Sequence, residues 1–147
     1  NLINSQKILD FCIKKKIKLI VNLAGISKVK KDLEKKYIRE NFLAVEKLLN
    51  KLSEKNFSGK FIHMSSAYVY PANLNKKITE NTDAKPENYY SYSKVLADNS
   101  IIYHSKKINC TSIRMPNCIG GIQYKNYLIP SLIDQINDKR QNKIHPT

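Results

Sequence analysis

The fold of this chain is decided by residues 88–94, which read NYYSYSK. Within them Tyr90 and Lys94 stand four residues apart, and residues 95–98, VLAD, continue in a helical rhythm. On a helix this spacing places both side chains on one face, one turn apart. A phenol keeps its proton up to about pH 10, but a nearby ammonium lowers that pKa, so the pair could exchange protons near neutrality. The spacing also occurs by chance on amphipathic helices, so the surrounding motifs decide its meaning.

The composition is that of a soluble globular domain. Apolar residues make up 41% of the 147 positions and charged residues 26%, which is enough apolar surface to bury a core. We expect no membrane segment, because no apolar run approaches the roughly 20 residues that cross a bilayer. The N-terminal residues lack a charged and apolar leader, so a cytoplasmic location is expected. The first residue is Asn1 rather than Met, which indicates a piece of a longer protein.

The cysteines and histidines predict neither disulfides nor a metal site. Cys12, Cys110 and Cys118 lie among apolar neighbours and lack C-x-x-C spacing. We therefore expect buried free thiols in a reducing compartment. The histidines are scattered and lack the spacing of metal ligands, so no metal is predicted.

The formal net charge of +14 raises the question of a polyanionic partner. Only three of the 26 basic residues are Arg, whereas base-reading and bidentate phosphate sites prefer Arg. The lysines are spread along the whole chain, which is typical of a solvated basic surface. We therefore expect no nucleic-acid partner; the alternative is a nucleic-acid binder whose affinity falls steeply with salt.

Hydrophobic periodicity predicts alternating helices and strands. The expected helices cover residues 5–15, 30–52, the stretch from Tyr90 to 105 and a last one from Ile129, and the expected strands cover residues 18–25, 60–65 and 110–114. This alternation favours one α/β domain over residues 1–147, with a parallel sheet and helices on both faces. In such sheets ligands bind outside the carboxyl ends of the strands, where residues 22–27, 65–70 and 114–121 are expected.

Four motifs occur in order: NLAG at residues 22–25, SSAYVY at 65–70, YSYSK at 90–94 and RMPNCIG at 114–120. With these motifs the chain resembles, over residues 17–135, the extended short-chain dehydrogenase/reductase family, the NAD-dependent epimerases and dehydratases of nucleotide sugars. The resemblance implies a Rossmann-like, doubly wound parallel sheet. It also implies an NAD or NADP cofactor and a nucleotide-sugar substrate.

The same resemblance assigns the chemistry to particular residues. Tyr90 would be the catalytic acid/base at a sugar hydroxyl or carbonyl, and Lys94 would lower its pKa and hold the nicotinamide ribose. Ser66 would hydrogen-bond the reacting oxygen of the substrate, although a hydroxyl at a strand end also bonds backbone. Asn41 would order the catalytic site from the preceding helix, or it bridges backbone locally. Asn117 matches a position that touches the substrate.

Cofactor contacts are implied at two strand ends. Leu23, Ala24 and Gly25 would pass beneath the cofactor, where Gly25 allows close backbone approach or simply ends a strand. The loop around Pro116 would lie by the nicotinamide.

Other residues near the motifs carry weaker predictions. Tyr68 and Tyr70 are interpreted as packing or loop aromatics. Glu80 and Arg114 match family positions and are either structural or substrate-facing. Members of the family also pair through the two helices that follow the first two strands here, which implies a homodimer, although the same apolar side chains could face the sheet.

One departure from the family pattern concerns the phosphate site. The family opens with a strand, a Gly-rich turn and a helix whose N-terminus binds the pyrophosphate. The four glycines of this chain, at positions 25, 59, 120 and 121, do not form such a motif. We therefore expect an internal fragment that lacks the first βαβ unit and the C-terminal substrate lobe. By itself it would keep the chemical residues but bind the cofactor poorly.

The reaction type stays open between epimerase, reductase and dehydratase. Residues 65–70 and 85–88 are also similar to dTDP-4-dehydrorhamnose reductases. Dehydratases usually carry Asp-Glu where Ala67 and Tyr68 stand, so dehydration is the least expected of the three. A non-catalytic dinucleotide-binding scaffold is the other alternative, but retention of Ser66, Tyr90 and Lys94 argues against it.

Overall fold

The computed structural model describes residues 5–73, 75, 77–120 and 127–137, without the side chains of Ser5 and Lys31. The chain forms two compact units, residues 1–116 and 117–147, each described by itself. In chain order the main elements are α1 (Ser5–Lys14), β1 (Leu19–Asn22), α2 (Glu34–Tyr37), α3 (Ala44–Glu54), β2 (Lys60–Ser66), α4 (Tyr89–His104), β3 (Asn109–Met115) and, in the second unit, α5 (Leu128–Asn137).

The first unit is built on a parallel sheet with the strand order β1-β2-β3. Asn22, the last residue of β1, lies opposite His63 of β2, and Ser66, the last residue of β2, lies opposite Met115 of β3. The carboxyl ends of all three strands therefore meet at one edge. This confirms the predicted α/β class and parallel sheet of a partial Rossmann-like fold, and it brings the loops after the strands together.

The hydrophobic core lies on one face of this sheet. Ile20, Phe61 and Cys110 form one row across the three strands and point to that face. Apolar side chains from the helices and adjoining loops pack against this row: Leu9, Val45, Leu48, Leu49, Leu52, Phe57, Ile101 and Ile108. Each fully buried side chain of this size contributes about 1.5–3 kcal/mol, so this face fixes α1, α3 and α4 on the sheet.

The predicted long helix is continuous in space but not uniform. A 3-10 turn at Lys31–Leu33 leads into α2, a π-helical segment covers Ile38–Leu43, and α3 follows directly. A π segment adds a residue to the local turn and so rotates the following side chains about the helix axis. It carries Asn41, which is fully buried. The polar residue that interrupts the apolar pattern therefore marks a change of helix type, not the end of the helix.

A capping box fixes the start of α4. The Asn88 side chain accepts a hydrogen bond from the Ser91 backbone N–H at 2.9 Å, and Ser91 Oγ accepts one from the Asn88 N–H at 3.2 Å. These bonds satisfy donors that a helix N-terminus leaves without partners. The first turn of α4, which carries Tyr90, is thereby held in register.

The prediction for the cysteines is partly wrong. Cys12 and Cys110 are buried free thiols, and burial raises the pKa of each. Cys118 is exposed, as is its neighbour Ile119. Apolar neighbours in sequence indicate burial only inside an element that packs, and residues 117–119 form neither a helix nor a strand.

Among the described residues, no helix combines the length and apolar character that crossing a bilayer requires. The same residues include no cluster of three His, Cys, Asp or Glu side chains that could bind a metal ion.

Candidate active site

Asn41 joins the end of β1 to the helix α4. Its Oδ1 accepts from the Ile26 backbone N–H at 2.7 Å, and its Nδ2 donates to the Ile26 carbonyl at 3.1 Å and to Ser93 Oγ at 3.2 Å. Ser93 Oγ in turn donates to the Tyr90 carbonyl at 2.7 Å. These are long-range bridges rather than local ones, so the Asn41 amide fixes the path of the loop after β1 relative to the helix of Tyr90.

Gly25 lies where no other residue fits. Its φ of +153° belongs to the region that favours glycine. A Cβ at this position would lie 2.8 Å from Asn41 Oδ1 and 3.8 Å from Lys94 Nζ. The backbone therefore passes close to the Lys94 ammonium. The alternative that Gly25 simply ends a strand is wrong, because β1 ends at Asn22. Leu23 and Ala24 on the same segment are exposed, so a ligand could reach them.

Tyr90 is held between two other tyrosines. Its ring, 7% exposed, makes edge contacts with the ring of Tyr37 at 5.8 Å and of Tyr68 at 6.2 Å between centroids. Tyr37 is itself fixed, because its hydroxyl accepts from the Lys30 N–H and donates to the Lys28 carbonyl, both at 2.7 Å. The orientation of the Tyr90 ring is therefore set by packing from α2 and from the turn after β2.

Lys94 lies on the same face of α4 as Tyr90, as predicted from their spacing. Its Nζ is 6.0 Å from the centroid of the Tyr90 ring and donates to the Met64 carbonyl at 3.0 Å. Burial lowers the pKa of Lys94, while the carboxylate of Asp98, one turn further along α4, acts in the opposite direction. The ammonium is thus anchored to β2 with donor capacity left for a ligand, since it has three N–H groups.

Ser66 ends β2 at the same edge. It is 6% exposed, and its Oγ accepts from the Tyr68 backbone N–H at 3.2 Å, which caps the 3-10 turn Ala67–Val69. The alternative of a backbone-bonding hydroxyl is therefore observed. The hydroxyl proton is not used in that bond and can still be donated to a ligand.

Arg114 has a structural role, one of the two that the sequence left open. Its Nε donates to Asp98 Oδ2 at 2.9 Å and its guanidinium donates to the Tyr70 hydroxyl at 2.8 Å. The Tyr70 hydroxyl donates to the Thr79 carbonyl at 3.3 Å, and Asp98 Oδ1 accepts from Ser112 at 2.5 Å. Burial lowers the pKa of Arg114, but the bonds to Tyr70 and Asp98 raise it overall. The network ties α4 and β3 to the loop over residues 71–86.

His63 also belongs to this edge, beside Asn22 of the NLAG motif, and sequence reasoning did not single it out. His63 is fully buried, and its Nδ1 lies 3.1 Å from Asn22 Nδ2. Burial and the Lys94 cation lower the pKa of His63 and the Asp98 anion opposes them, which together place it at about 4. The available signal was alternation: His63 shares a strand face with buried Phe61, two residues earlier.

The roles predicted for Pro116, Asn117 and Glu80 stay predictions. Pro116 follows β3 directly and is exposed. Asn117 is exposed and belongs to the second unit, so its substrate contact stays a prediction. Glu80 is exposed on the loop over residues 71–86.

The buried imidazole of His63 makes stability depend on pH. Its folded pKa of about 4 lies below the ordinary 6.5, so the unfolded chain takes up a proton that the folded chain excludes. The unfolding free energy is therefore expected to be fully present above pH 6.5 and to fall by about 3 kcal/mol as the pH drops to 4. Denaturant titrations at successive pH values measure it.

His63→Asn is the matched control for this prediction. It has no titratable group at position 63, so the difference between the two proteins isolates the contribution of the imidazole. Parallel pH curves for the two proteins would contradict the assignment.

The Asp98 network yields a prediction for stability. Asp98→Asn leaves Arg114 without its ionic partner, and we expect a loss of about 2 kcal/mol in the unfolding free energy, typical of hydrogen bonds to charged groups. Glu80→Gln, at an exposed site, is expected to stay within about 0.5 kcal/mol of the unmodified protein. Equal stability of the two variants would show that the ion pair contributes nothing.

A parallel sheet with a buried Tyr and Lys one turn apart beside its strand ends is the arrangement that the four motifs predicted. The sequence model of the NAD-dependent epimerase/dehydratase family matches residues 1–146. The chain belongs to this family, as the motifs predicted.

Known proteins similar to the chain are longer than it. The dTDP-D-glucose 4,6-dehydratase of Dictyostelium discoideum is 28% identical over 163 residues, covering 100% of this chain and 37% of that protein. The UDP-glucuronic acid 4-epimerase of Bacillus cereus, in complex with UDP-glucuronic acid and NAD, has a TM-score of 0.79 at 21% identity, covering 94% and 44%. RMD from Pseudomonas aeruginosa, complexed with NADPH, has a TM-score of 0.70 at 27% identity, covering 81% and 43%. The chain therefore spans less than half of their length.

Proposed function

We propose that the chain is the catalytic core of an NAD(P)-dependent nucleotide-sugar epimerase or reductase in which Tyr90 is the acid/base. One observation carries the proposal. The Lys94 ammonium lies 6.0 Å from the Tyr90 ring, and a Cβ on Gly25 would lie 3.8 Å from its Nζ. A proton-transfer pair and a backbone segment open to a ligand thus meet at the strand ends, where α/β sheets bind ligands.

The residues present fit a dinucleotide. Residues 23–25 form an exposed segment, and Gly25 in this segment lies beside Lys94. Lys94 retains N–H groups that could donate to ribose hydroxyls. Two of the solved structures similar to this chain are complexes with NAD and with NADPH, respectively. Nicotinamide, when bound, supplies or accepts the hydride at a sugar carbon.

The protein side of the reaction is proton transfer. Tyr90 Oη would take the proton of a sugar hydroxyl during oxidation and return it to the carbonyl oxygen during reduction. The nearby Lys94 ammonium would stabilise the phenolate that takes up this proton and that forms again when the proton is returned. Ser66 would donate a hydrogen bond from its hydroxyl to the same sugar oxygen and hold that oxygen in line with Tyr90.

Asn41 would contribute by position. Its amide bonds are all made to Ile26 and Ser93, so we give it no proton-transfer step. It would keep the segment of residues 23–25 and the first turn of α4 at a fixed separation. That separation sets the distance between the cofactor segment and Tyr90.

The residues after Ser66 favour epimerisation or reduction over dehydration. Ala67 and Tyr68 provide no carboxylate for the elimination of water, although the similar protein of D. discoideum is named as a dehydratase. The nucleotide-sugar substrate is supported by a similar structure that holds UDP-glucuronic acid. A reductase like the dTDP-4-dehydrorhamnose reductases would consume NAD(P)H stoichiometrically, whereas an epimerase would recycle it, so cofactor stoichiometry separates the two.

The test is Tyr90→Phe in the protein as its gene encodes it. Because the ring remains, we expect the affinity for NAD or NADP to stay within about threefold, a change below 1 kcal/mol. Because the proton carrier is lost, we expect turnover of a nucleotide sugar to fall by about 10²–10⁴-fold. Nicotinamide absorbance and product analysis measure the two quantities.

Tyr89→Phe is the matched control, because this neighbouring tyrosine is 53% exposed. We expect it to leave both quantities unchanged. Turnover by Tyr90→Phe equal to that of the control would refute the acid/base role. Dinucleotide binding without turnover in the unmodified protein would favour the non-catalytic scaffold.

We also propose a homodimer formed through the helices of Asn41 and Tyr90. Leu43, Ile102 and Tyr103 on these helices are 50%, 62% and 63% exposed, which supports an apolar contact between copies. Sedimentation is expected to show a dimer that Ile102→Glu dissociates. A monomeric unmodified protein would contradict this.

A further inference from the structure

Asn22 and His63 form a polar pair beneath the candidate site. They are the last residue of β1 and its direct neighbour on β2, and they are 5% and 0% exposed. Asn22 Nδ2 and His63 Nδ1 lie 3.1 Å apart. A buried pair of this kind needs matched donors and acceptors, because an unpaired buried polar group costs about 1–3 kcal/mol.

The surrounding bonds assign the proton on the imidazole. Asn22 Oδ1 accepts from the Ala24 backbone N–H at 3.1 Å, which places the amide nitrogen towards His63. An amide nitrogen only donates, so Nδ1 of His63 must accept. The ring is therefore neutral, with its proton on Nε2. This atom is buried and has no hydrogen-bond partner among the described residues, so the assignment rests on the bonds at Nδ1. Burial and the Lys94 cation, against the opposing Asp98 anion, hold the pKa of His63 at about 4, which agrees with this assignment.

The pair acts on the segment proposed to carry the cofactor. Residues 23–25 are held at one end by the Asn22 bond to the Ala24 N–H and at the other by the Asn41 bonds to Ile26. Between these two bonds Gly25 passes the Lys94 ammonium. Rotation of the Asn22 amide would place its nitrogen against the Ala24 N–H, two donors facing each other, and would release one end of the segment.

We propose that His63 is a positioning residue: its neutral imidazole orients the Asn22 amide, which fixes the Ala24 N–H and the path of residues 23–25 against the dinucleotide. This rests on the proposed function for the ligand, although the hydrogen-bond arrangement can be tested without it. The competing explanation is that His63 merely fills the core beside Phe61. If His63 positions the Asn22 amide, dinucleotide affinity depends on a hydrogen-bond acceptor at position 63. If His63 only fills the core, affinity depends on side-chain volume there.

Two substitutions at position 63 separate the explanations. His63→Asn keeps an acceptor at the place of Nδ1 but loses volume, whereas His63→Leu keeps volume and loses the acceptor. In the protein as its gene encodes it, we expect His63→Leu to weaken binding of NAD or NADP by about tenfold, the worth of one buried hydrogen bond. We expect His63→Asn to stay within about threefold of the unmodified protein. Denaturant unfolding of both variants shows how much each merely destabilises the fold.

A weaker dinucleotide affinity in His63→Asn than in His63→Leu would overturn the proposal, because affinity would then depend on side-chain volume. If folded His63→Leu binds the dinucleotide as tightly as the unmodified protein does, the proposal is overturned as well. A KM for the nucleotide sugar that stays constant while dinucleotide affinity falls would support it, because a general loss of structure would change both.

Nuclear magnetic resonance of the imidazole nitrogens tests the arrangement independently of any ligand. We expect Nδ1 of His63 to be unprotonated and hydrogen-bonded, Nε2 to carry the proton, and no titration above pH 5. Hydrogen exchange at the Ala24 amide is expected to be faster in His63→Leu than in His63→Asn. A proton on Nδ1, or equal exchange in both variants, would overturn the proposal. The imidazole tautomer and the Ala24 exchange rates could be as expected while the unmodified protein binds neither NAD nor NADP. That outcome would refute the proposed function but not the hydrogen-bond arrangement.

Discussion

The amide of Asn41 is the interaction on which the geometry of the candidate site depends. It joins the backbone at Ile26 to Ser93, and through Ser93 to the Tyr90 carbonyl, so that one side chain connects the end of β1 with the first turn of α4. Such an amide is buried at little cost only when its donors and acceptor are matched, as they are here. The π-helical segment Ile38–Leu43 is the local irregularity that directs the polar side chain inwards.

The core and the polar bonds do different work. Burial of Phe61, Leu48 and Ile101 holds the helices on the sheet, but apolar contacts have no direction and tolerate small shifts. Hydrogen bonds from Asn22 and Asn41 do have direction, and they act on the four residues that follow β1. The stability of the first unit therefore comes mainly from the helix-covered face, and the precision of the site comes from a few buried amides at the strand ends.

The sequence predicted what regular periodicity and motifs encode, and it missed what depends on partners in space. Four-residue spacing placed Tyr90 and Lys94 on one helix face, and apolar runs located the strands to within a few residues. A 3.6-residue period cannot describe a π segment, so periodicity did not predict the bonds of Asn41, and only the resemblance gave it a role at the site. The structural role of Arg114 depends on Asp98, which lies on another element 16 residues away. His63 belongs to no motif; alternation with Phe61 indicates only its burial, and its register opposite Asn22 reveals the pair.

Burial and the Asp98 carboxylate act on the pKa of Lys94 in opposite directions. Burial alone would lower the Lys94 pKa and favour the neutral amine, which could not stabilise a phenolate. The Asp98 carboxylate opposes this, but Asp98 also bonds Arg114 and Ser112, so its charge is shared and does not fully neutralise the ammonium. A protonated His63 would place a second cation near Lys94, and burial prevents that. The Asp98 carboxylate thus favours the ammonium form of Lys94, the form that the proposed action on Tyr90 requires.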